Sequence, residues 1–464
     1  MGIALMVSGA AVLVPPALGQ GSAPPPALPP DAGPGFARPG GAPDAPTRVA
    51  RSISFRDAWV TALERNPTVT TAVQEIRRVS GLMEEVRAAS LPTLGVTATY
   101  VRLDKDRTFT ADPDAGSIVV QGKDSINVTG TLAIPIIAPQ SWANWKRAGD
   151  LIETSRLNQR DLQRQVAVNV ARAYITVFAQ KRQVDVNRQA RDNSKAHLDY
   201  AAQRLRGGIG NKVDGARAGQ DLEANESLLQ ASFANLYRAQ EALGILLGVD
   251  EPVDTQDIPV LPGMPSVDEA LSETPTRTDL ILANWEENRT DRSLNLSWTE
   301  YLPNVTLYGQ PIFQSPASLT QPKTSWQIQA VLTWVLYDGG ARYGRTHQRE
   351  AQLEQAKIAL AATIRQANSE VRTSLENFER NSSALQSARN SANLANEAMR
   401  LADISYHAGA TTNLELIDAQ RRARDAETLA VIGEDNTLQS ALDVLSASGR
   451  FPPNLREENA QRSK

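Results

Sequence analysis

Glu415 and Asp418 are the side chains whose type and spacing most invite a chemical reading. They lie three apart in Tyr406-His-Ala-Gly-Ala-Thr-Thr-Asn-Leu-Glu-Leu-Ile-Asp-Ala-Gln420, so on a helix they share one face. A carboxylate pair does hydrolytic work only where a pocket gathers further groups around it, and the order of elements here gathers none. The chain has no cysteine, which excludes disulfides, thiol catalysis, a Cys-based zinc site and a lipid-modified N-terminal cysteine. His197, His347 and His407 are far apart and form no metal-ligand spacing, and each reads as an ordinary helix-surface histidine. Asp338-Gly339-Gly340 lacks the Lys-Ser/Thr of a phosphate-binding loop. The expectation is a protein with no catalytic constellation, no cofactor and no metal: not an enzyme.

The acid pair must be held by the elements around it. Before it run about sixty residues of helix-period sequence without proline, and about thirty more follow. Gly409 is the strong helix breaker between them, and Thr411, Thr412 and Asn413 are cap-type residues. The stretch therefore reads as a tight tip joining two very long helices. Composition agrees: 41% of residues are hydrophobic but only 5% aromatic, which suits long helices packed through small side chains. A net charge of −4 gives no basic surface for nucleic acid.

Taken in order, residues 1–21 carry an apolar run ending in small residues and read as a signal peptide. Residues 22–52 are rich in Pro, Ala and Gly and read as a linker. Residues 53–249 form a first unit. A helix capped by Ser54 breaks at Asn66-Pro67, restarts, and stops at Leu91-Pro92. Period-two alternation then predicts strands at about 93–103 and 125–135, with a polar loop containing Asp104, Lys105, Asp106, Asp112, Pro113, Asp114 and Gly116 between them. A proline-free stretch follows, with a 4-3 seam from Val166 through Val170, Ala173, Val177, Val184 and Ser194 to Leu198, Ala201 and Leu205, polar between Asn187 and Ser194. It turns at Gly207-Gly208-Ile209-Gly210. Residues 250–276 are a connector with a short helix near Asp268–Leu271. Residues 277–448 repeat the order: helix, Leu302-Pro303, strands at about 304–313 and 325–336, long helix, tip at Gly409, helix. Residues 449–464 are a polar tail.

Geometry restricts this tandem repeat. A helix from about residue 140 to 205 is about 100 Å long at 1.5 Å per residue, beyond any compact domain. Strands of about ten residues match a tilted crossing of a bilayer. Four strands cannot close a barrel, and open edges are not tolerated in lipid. Several chains must then share one barrel; three would give twelve strands, which predicts a homotrimer. Trp326, Ile328, Leu332 and Trp334 should face lipid, and Gln327, Gln329, Asn127, Thr129 and Thr131 should face water inside. The rival reading is a non-membrane coiled-coil scaffold carrying a soluble sheet.

The chain resembles the outer-membrane efflux factors of the TolC type. The resemblance rests on Tyr406-x-x-Gly409 followed by Leu414-Glu415-x-Ile417-Asp418-Ala419-Gln420. Both Leu-Pro strand entries, Asn66-Pro67 and Tyr337-Asp338-Gly339-Gly340 support it. It implies a mixed α+β membrane protein: a trimeric twelve-stranded outer-membrane β-barrel, four strands per chain, continued by a long periplasmic α-helical barrel. It also implies the role of a passive exit duct of a tripartite efflux pump or type I secretion system, with a periplasmic adaptor and an inner-membrane transporter as partners. By position, Glu415 and Asp418 match the carboxylates that ring the family's periplasmic opening, and Tyr406 matches a tyrosine used in closing it. Thr411 stands where relatives commonly carry a tethering Arg. Gly208, Ile209, Gly409, Ala410 and Thr411 are the expected adaptor-docking tips.

Overall fold

Short breakers and capping side chains divide the chain into elements, and the computed structural model describes residues 51–109, 118–317 and 322–452. The expected signal peptide, nearly all of the linker, Asp112, Pro113, Asp114 and Gly116 of the first loop, and the tail beyond 452 lie outside the described residues. Strand β1 (Arg51–Ile53) leads into α1 (Phe55–Arg65), whose first turn is capped by the Ser54 hydroxyl accepting from the Asp57 N–H at 3.1 Å. Asn66 ends α1 and caps α2 (Pro67–Ala88), which places Pro67 at the first helical position. Next come β2 (Thr93–Arg102), β3 (Arg107–Phe109), β4 (Ile118–Gln121) and β5 (Asp124–Ile137). The first long hairpin is α3 (Pro139–Arg206) and α4 (Lys212–Leu247). The connector holds β6 (Val253–Thr255) and α5 (Val267–Glu273), the latter opened by a capping box of Ser266 and Glu269. Then follow α6 (Thr278–Asn295), β7 (Asn304–Ser315), β8 (Thr324–Thr333), and the second long hairpin of α7 (Ala341–His407) and α8 (Asn413–Ala447).

Two outcomes differ from the sequence reading. The loop between the first two strands is not only polar loop: β3 pairs antiparallel with β4, carrying the ladder beyond the Leu103–Lys123 backbone bond. The alternating stretch expected to run to 336 is strand only to Thr333. The reason lies in its neighbour, because Thr333 already pairs with Asn304, the first residue of β7, and residues 334–336 have no strand beside them.

The main sheet has the order β2-β5-β7-β8, every neighbouring pair antiparallel. Its faces follow the alternation. Leu94 lies opposite Leu132, Ala98 opposite Val128, Ile134 opposite Leu307 and Pro311 opposite Trp326 on one face. On the other face the Gln310 amide donates to the Thr131 hydroxyl, and the Gln327 amide donates to Gln310. No residue of these four strands is buried among the described residues. No described helix is long and apolar enough to cross a membrane.

The helices are organised differently. Each long helix, 68 and 67 residues, is about 100 Å long, and each packs along its own shorter return helix. The principal core lies at mid-length. Phe55 and Trp59 of α1, Val166 to Val177 of α3, Leu243 and Leu247 of α4, Leu442 and Leu445 of α8, and Phe451 form one cluster. Tyr174 is fully buried in it, edge-on to Phe55 at 5.2 Å, and its hydroxyl donates to the Asp257 carboxylate of the connector. Burial, with that hydrogen bond, pushes the Tyr174 hydroxyl well above the usual tyrosine range.

Candidate functional site at the hairpin tips

Both long helices end in the same turn. At the first tip the Gly208 N–H bonds to the Leu205 carbonyl and the Ile209 N–H to the Arg204 carbonyl, both at 3.1 Å. At the second, Gly409 N–H bonds to the Tyr406 carbonyl at 3.0 Å and Ala410 N–H to the Ser405 carbonyl at 2.8 Å. Both are Schellman closures, and they put Gly208 at φ +78° and Gly409 at φ +74°, a region a Cβ makes costly. Each return helix then starts on a polar cap. Asn211 accepts from the Val213 N–H at 3.0 Å and Thr412 from the Glu415 N–H at 3.3 Å. Ile209, Ala410 and Leu414 are left exposed around the turns.

The two carboxylates are exposed and have local partners. The Thr411 hydroxyl donates to the Glu415 carboxylate across the turn. Asp418 pairs with Arg422 one turn on, at 2.8 Å. Thr411 therefore acts within its own turn, in place of the tether expected of an Arg there.

Tyr406, in contrast, is buried. It lies edge-on to His197 at 5.2 Å and to Tyr200 at 5.7 Å, and the Arg204 guanidinium sits over its ring at 5.4 Å. Burial pushes its hydroxyl above the usual tyrosine range, against the opposing pull of Arg204. The second hairpin is thus docked on the first at the tip. Asn413 completes the joint. Its amide donates to the Asp214 carbonyl at 3.1 Å, which leaves its oxygen to accept from His197 Nε2 at 2.5 Å. His197 is not the surface histidine read from sequence. After Ser194 the buried line steps by three to His197 and then by four to Ala201, so His197 takes the place assigned to Leu198. His407 is exposed, with Nδ1 on the Asp403 carbonyl, and His347 packs edge-on to Tyr343.

A second joint lies about two turns further from the tip. The Asp221 side chain, 2% exposed, accepts from Ser194 at 2.7 Å, from Asn225 at 3.2 Å and from Arg421 at 3.0 Å. Arg424 donates to the Asn225 oxygen at 2.8 Å. Six side chains of the first hairpin, His197, Tyr200, Arg204, Ser194, Asp221 and Asn225, share these two joints with Tyr406, Asn413, Arg421 and Arg424 of the second. Sequence reading did not single out Asp214, Asp221, Asn225, Arg421 or Arg424, and read Asn413 only as a cap-type residue. The available signal was the polar interval in the seam between Asn187 and Ser194, since polar groups on a packed face require polar partners. Among the described residues no cluster of His, Asp and Glu is arranged to hold a metal ion.

Comparison with known proteins matches this architecture. The sequence profile of the family described as outer membrane efflux protein fits residues 59–249 and 268–450. The outer membrane protein OprJ of Pseudomonas aeruginosa is 24% identical over 410 residues, covering 84% of this chain and 82% of that protein. The outer membrane protein TolC of Vibrio cholerae is 23% identical over 400 residues, covering 84% and 89% respectively. The crystal structure of the Campylobacter jejuni CmeC outer membrane channel has the same fold, with a TM-score of 0.73 at 16% identity over 87% of this chain and 89% of that one. The chain belongs to the outer membrane efflux protein family, as a passive outer-membrane exit duct that extends into the periplasm and not as an enzyme.

Proposed function

We propose that three copies of the chain close one twelve-stranded barrel, four strands from each, and that their helices continue it as a periplasmic tunnel. The observation that carries this reading is the main sheet. It is ten or more residues deep in every strand, with no buried residue, and among the described residues it is open at both edges, β2 and β8. Such a sheet has no stability of its own in lipid until its edges are paired. An even number of strands per chain keeps the ring antiparallel when β8 of one copy meets β2 of the next. The apolar face carrying Trp326, Ile328 and Leu332 then meets lipid, and the Thr131, Gln310 and Gln327 face lines the water-filled interior. The two units, 53–249 and 277–448, act as tandem halves of this design.

At the periplasmic end, threefold symmetry gives six carboxylates from Glu415 and Asp418 round the axis. They favour cations and hinder their exit, with Tyr406 holding the hairpin closed. The tips at Gly208, Ile209, Gly409, Ala410 and Thr411 receive a periplasmic adaptor, which couples the duct to an inner-membrane transporter of an efflux pump or type I secretion system. Sedimentation of the detergent-solubilised outer-membrane protein tests the reading. A particle of three chains is expected; a monomer, or a protein absent from the outer-membrane fraction, overturns it. Cysteines at Ile209 or Ala410 that never crosslink to an adaptor in cells overturn the docking assignment.

A further inference from the structure

We infer that the contact between copies has one definite register: Leu332 of β8 lies opposite Ala98 of the neighbouring copy's β2, and Trp334 opposite its Val96. The inference rests on the shared-barrel reading above and adds what that reading leaves open, which residues meet. It follows from the ladders within the chain. Leu91-Pro92 precedes Thr93, the first residue of β2, and Leu302-Pro303 precedes Asn304, the first residue of β7. Thr93 pairs with Ala133 of β5, and Asn304 pairs with Thr333 of β8. Gly309 thus corresponds to Ala98, Leu307 to Val96, Leu132 to Leu332 and Ile134 to Trp334.

The seam between the two halves is recorded in the chain itself. Leu132 pairs with Gly309, and Ile134 with Leu307, where β5 meets β7. If the seam between copies repeats the seam between halves, Leu332 meets Ala98 and Trp334 meets Val96. The same step sets Val335 opposite Gly95 and Ile328 opposite Arg102.

Two independent features fit this register. The first is face. It sets Leu332, Ala330 and Trp334 opposite Ala98, Tyr100 and Val96, so apolar residues meet on the lipid side along this part of the seam, and Arg102, paired with Asp124, marks its end. A slip by one residue would set Leu332 against a threonine and invert the faces of the next copy. The second is length. β5 continues to Ile137, beyond the Ala133 partner of Thr93, by pairing with the start of β7. The corresponding residues after Thr333 are Trp334 to Tyr337, which have no strand beside them in one chain and are widely exposed, Leu336 at 76% and Tyr337 at 85%. On β2, Leu94 and Val96 are equally bare, at 77% and 72%. The register gives the Trp334–Val335 segment the neighbouring strand it lacks in one chain.

The absence of native cysteine makes the test direct. The full chain carrying Ala98→Cys with Leu332→Cys, or Thr97→Cys with Thr333→Cys, is inserted in the outer membrane and oxidised. These adjacent pairs sample both kinds of antiparallel site, so one has the spacing a disulfide needs. The expected result is covalently linked trimers from at least one pair. Pairs slipped by two residues, Val96→Cys or Tyr100→Cys with Leu332→Cys, should link about tenfold less. Stable trimers in which a slipped pair links better, or in which neither register pair links, overturn the register and leave the shared barrel intact. A chain that inserts but yields no trimer by sedimentation overturns the barrel itself. The unmodified trimer supplies a second reading that no folding defect can obscure: of the amides of Trp334 and Val335, the one that points to the neighbouring β2 should exchange as slowly as those of β8. Free exchange of both overturns the register.

Discussion

The mid-length core and the membrane sheet obey opposite rules. In the core, Tyr174, Ile175, Leu243, Leu247, Leu442 and Leu445 are removed from solvent entirely or almost so by other segments of the same chain. In the sheet, no residue is buried although every internal ladder is made. One region is finished by one copy of the chain, and the other, on the shared-barrel proposal, by lipid and further copies. Damage to the core should therefore act on the isolated chain, and damage to the sheet should act on insertion and assembly.

The largest expected effect is in the core. Tyr174→Ala removes a buried ring and its bond to Asp257, and should cost about 3–5 kcal/mol. Thermal loss of helical circular dichroism measures it, and a change below about 1 kcal/mol would mean that this core is not the chain's keystone. Next comes Ile328→Arg, on the face assigned to lipid, which should cost about 2–4 kcal/mol of barrel stability near mid-membrane. Folding into vesicles reads that loss, while the helical melting of the unassembled chain should not move; if both move together, the two regions are not separable. Arg421→Ala leaves the Asp221 carboxylate buried without its cation and should cost about 1–3 kcal/mol. Its mark is faster proteolysis or amide exchange in the second hairpin tip, with core and barrel unchanged. The smallest effect on stability, within about 0.5 kcal/mol, belongs to Glu415→Gln/Asp418→Asn, which alters exposed side chains; single-channel recordings should show weaker cation block. Unchanged block would sink the ring assignment.

A pH series sharpens the same contrast. Asp279 opens α6, where burial opposes ionisation but the Arg277 hydrogen bonds and charge win, holding its carboxyl below the usual range. Its folded value lies below its unfolded one. The stability it supplies is complete above the unfolded value and is lost as pH falls through the folded one. Asp279→Asn should therefore flatten the acid side of the helical melting profile; an unaltered slope would assign acid sensitivity elsewhere.

Much of the helical and strand order was legible because it is local. Pro67 after Asn66, Pro92 and Pro303 before strands, and glycines at 208 and 409 are backbone constraints that act within a few residues. Alternation in 93–102 and 324–333 follows the two faces of each strand, and sequence carries that directly. The end of β8 was not legible, since it depends on where β7 begins. Nor was the β3–β4 hairpin, whose three-residue and four-residue strands are too short for a period to register.

At the tips the division is sharper. Sequence alone determined the turns, the caps and the pairing of Glu415 and Asp418 on one helix face, because each depends on residues within one or two turns. Only the tertiary structure decided that His197 rather than Leu198 faces inward, since steps of three and four are equivalent on a helix until a neighbour is present. It also decided that Asn413 sits between His197 and Asp214, and that Arg421 reaches Asp221. These partners are about two hundred residues apart. Their meeting is set by how two long hairpins lie against each other, and no local pattern of residue types encodes that.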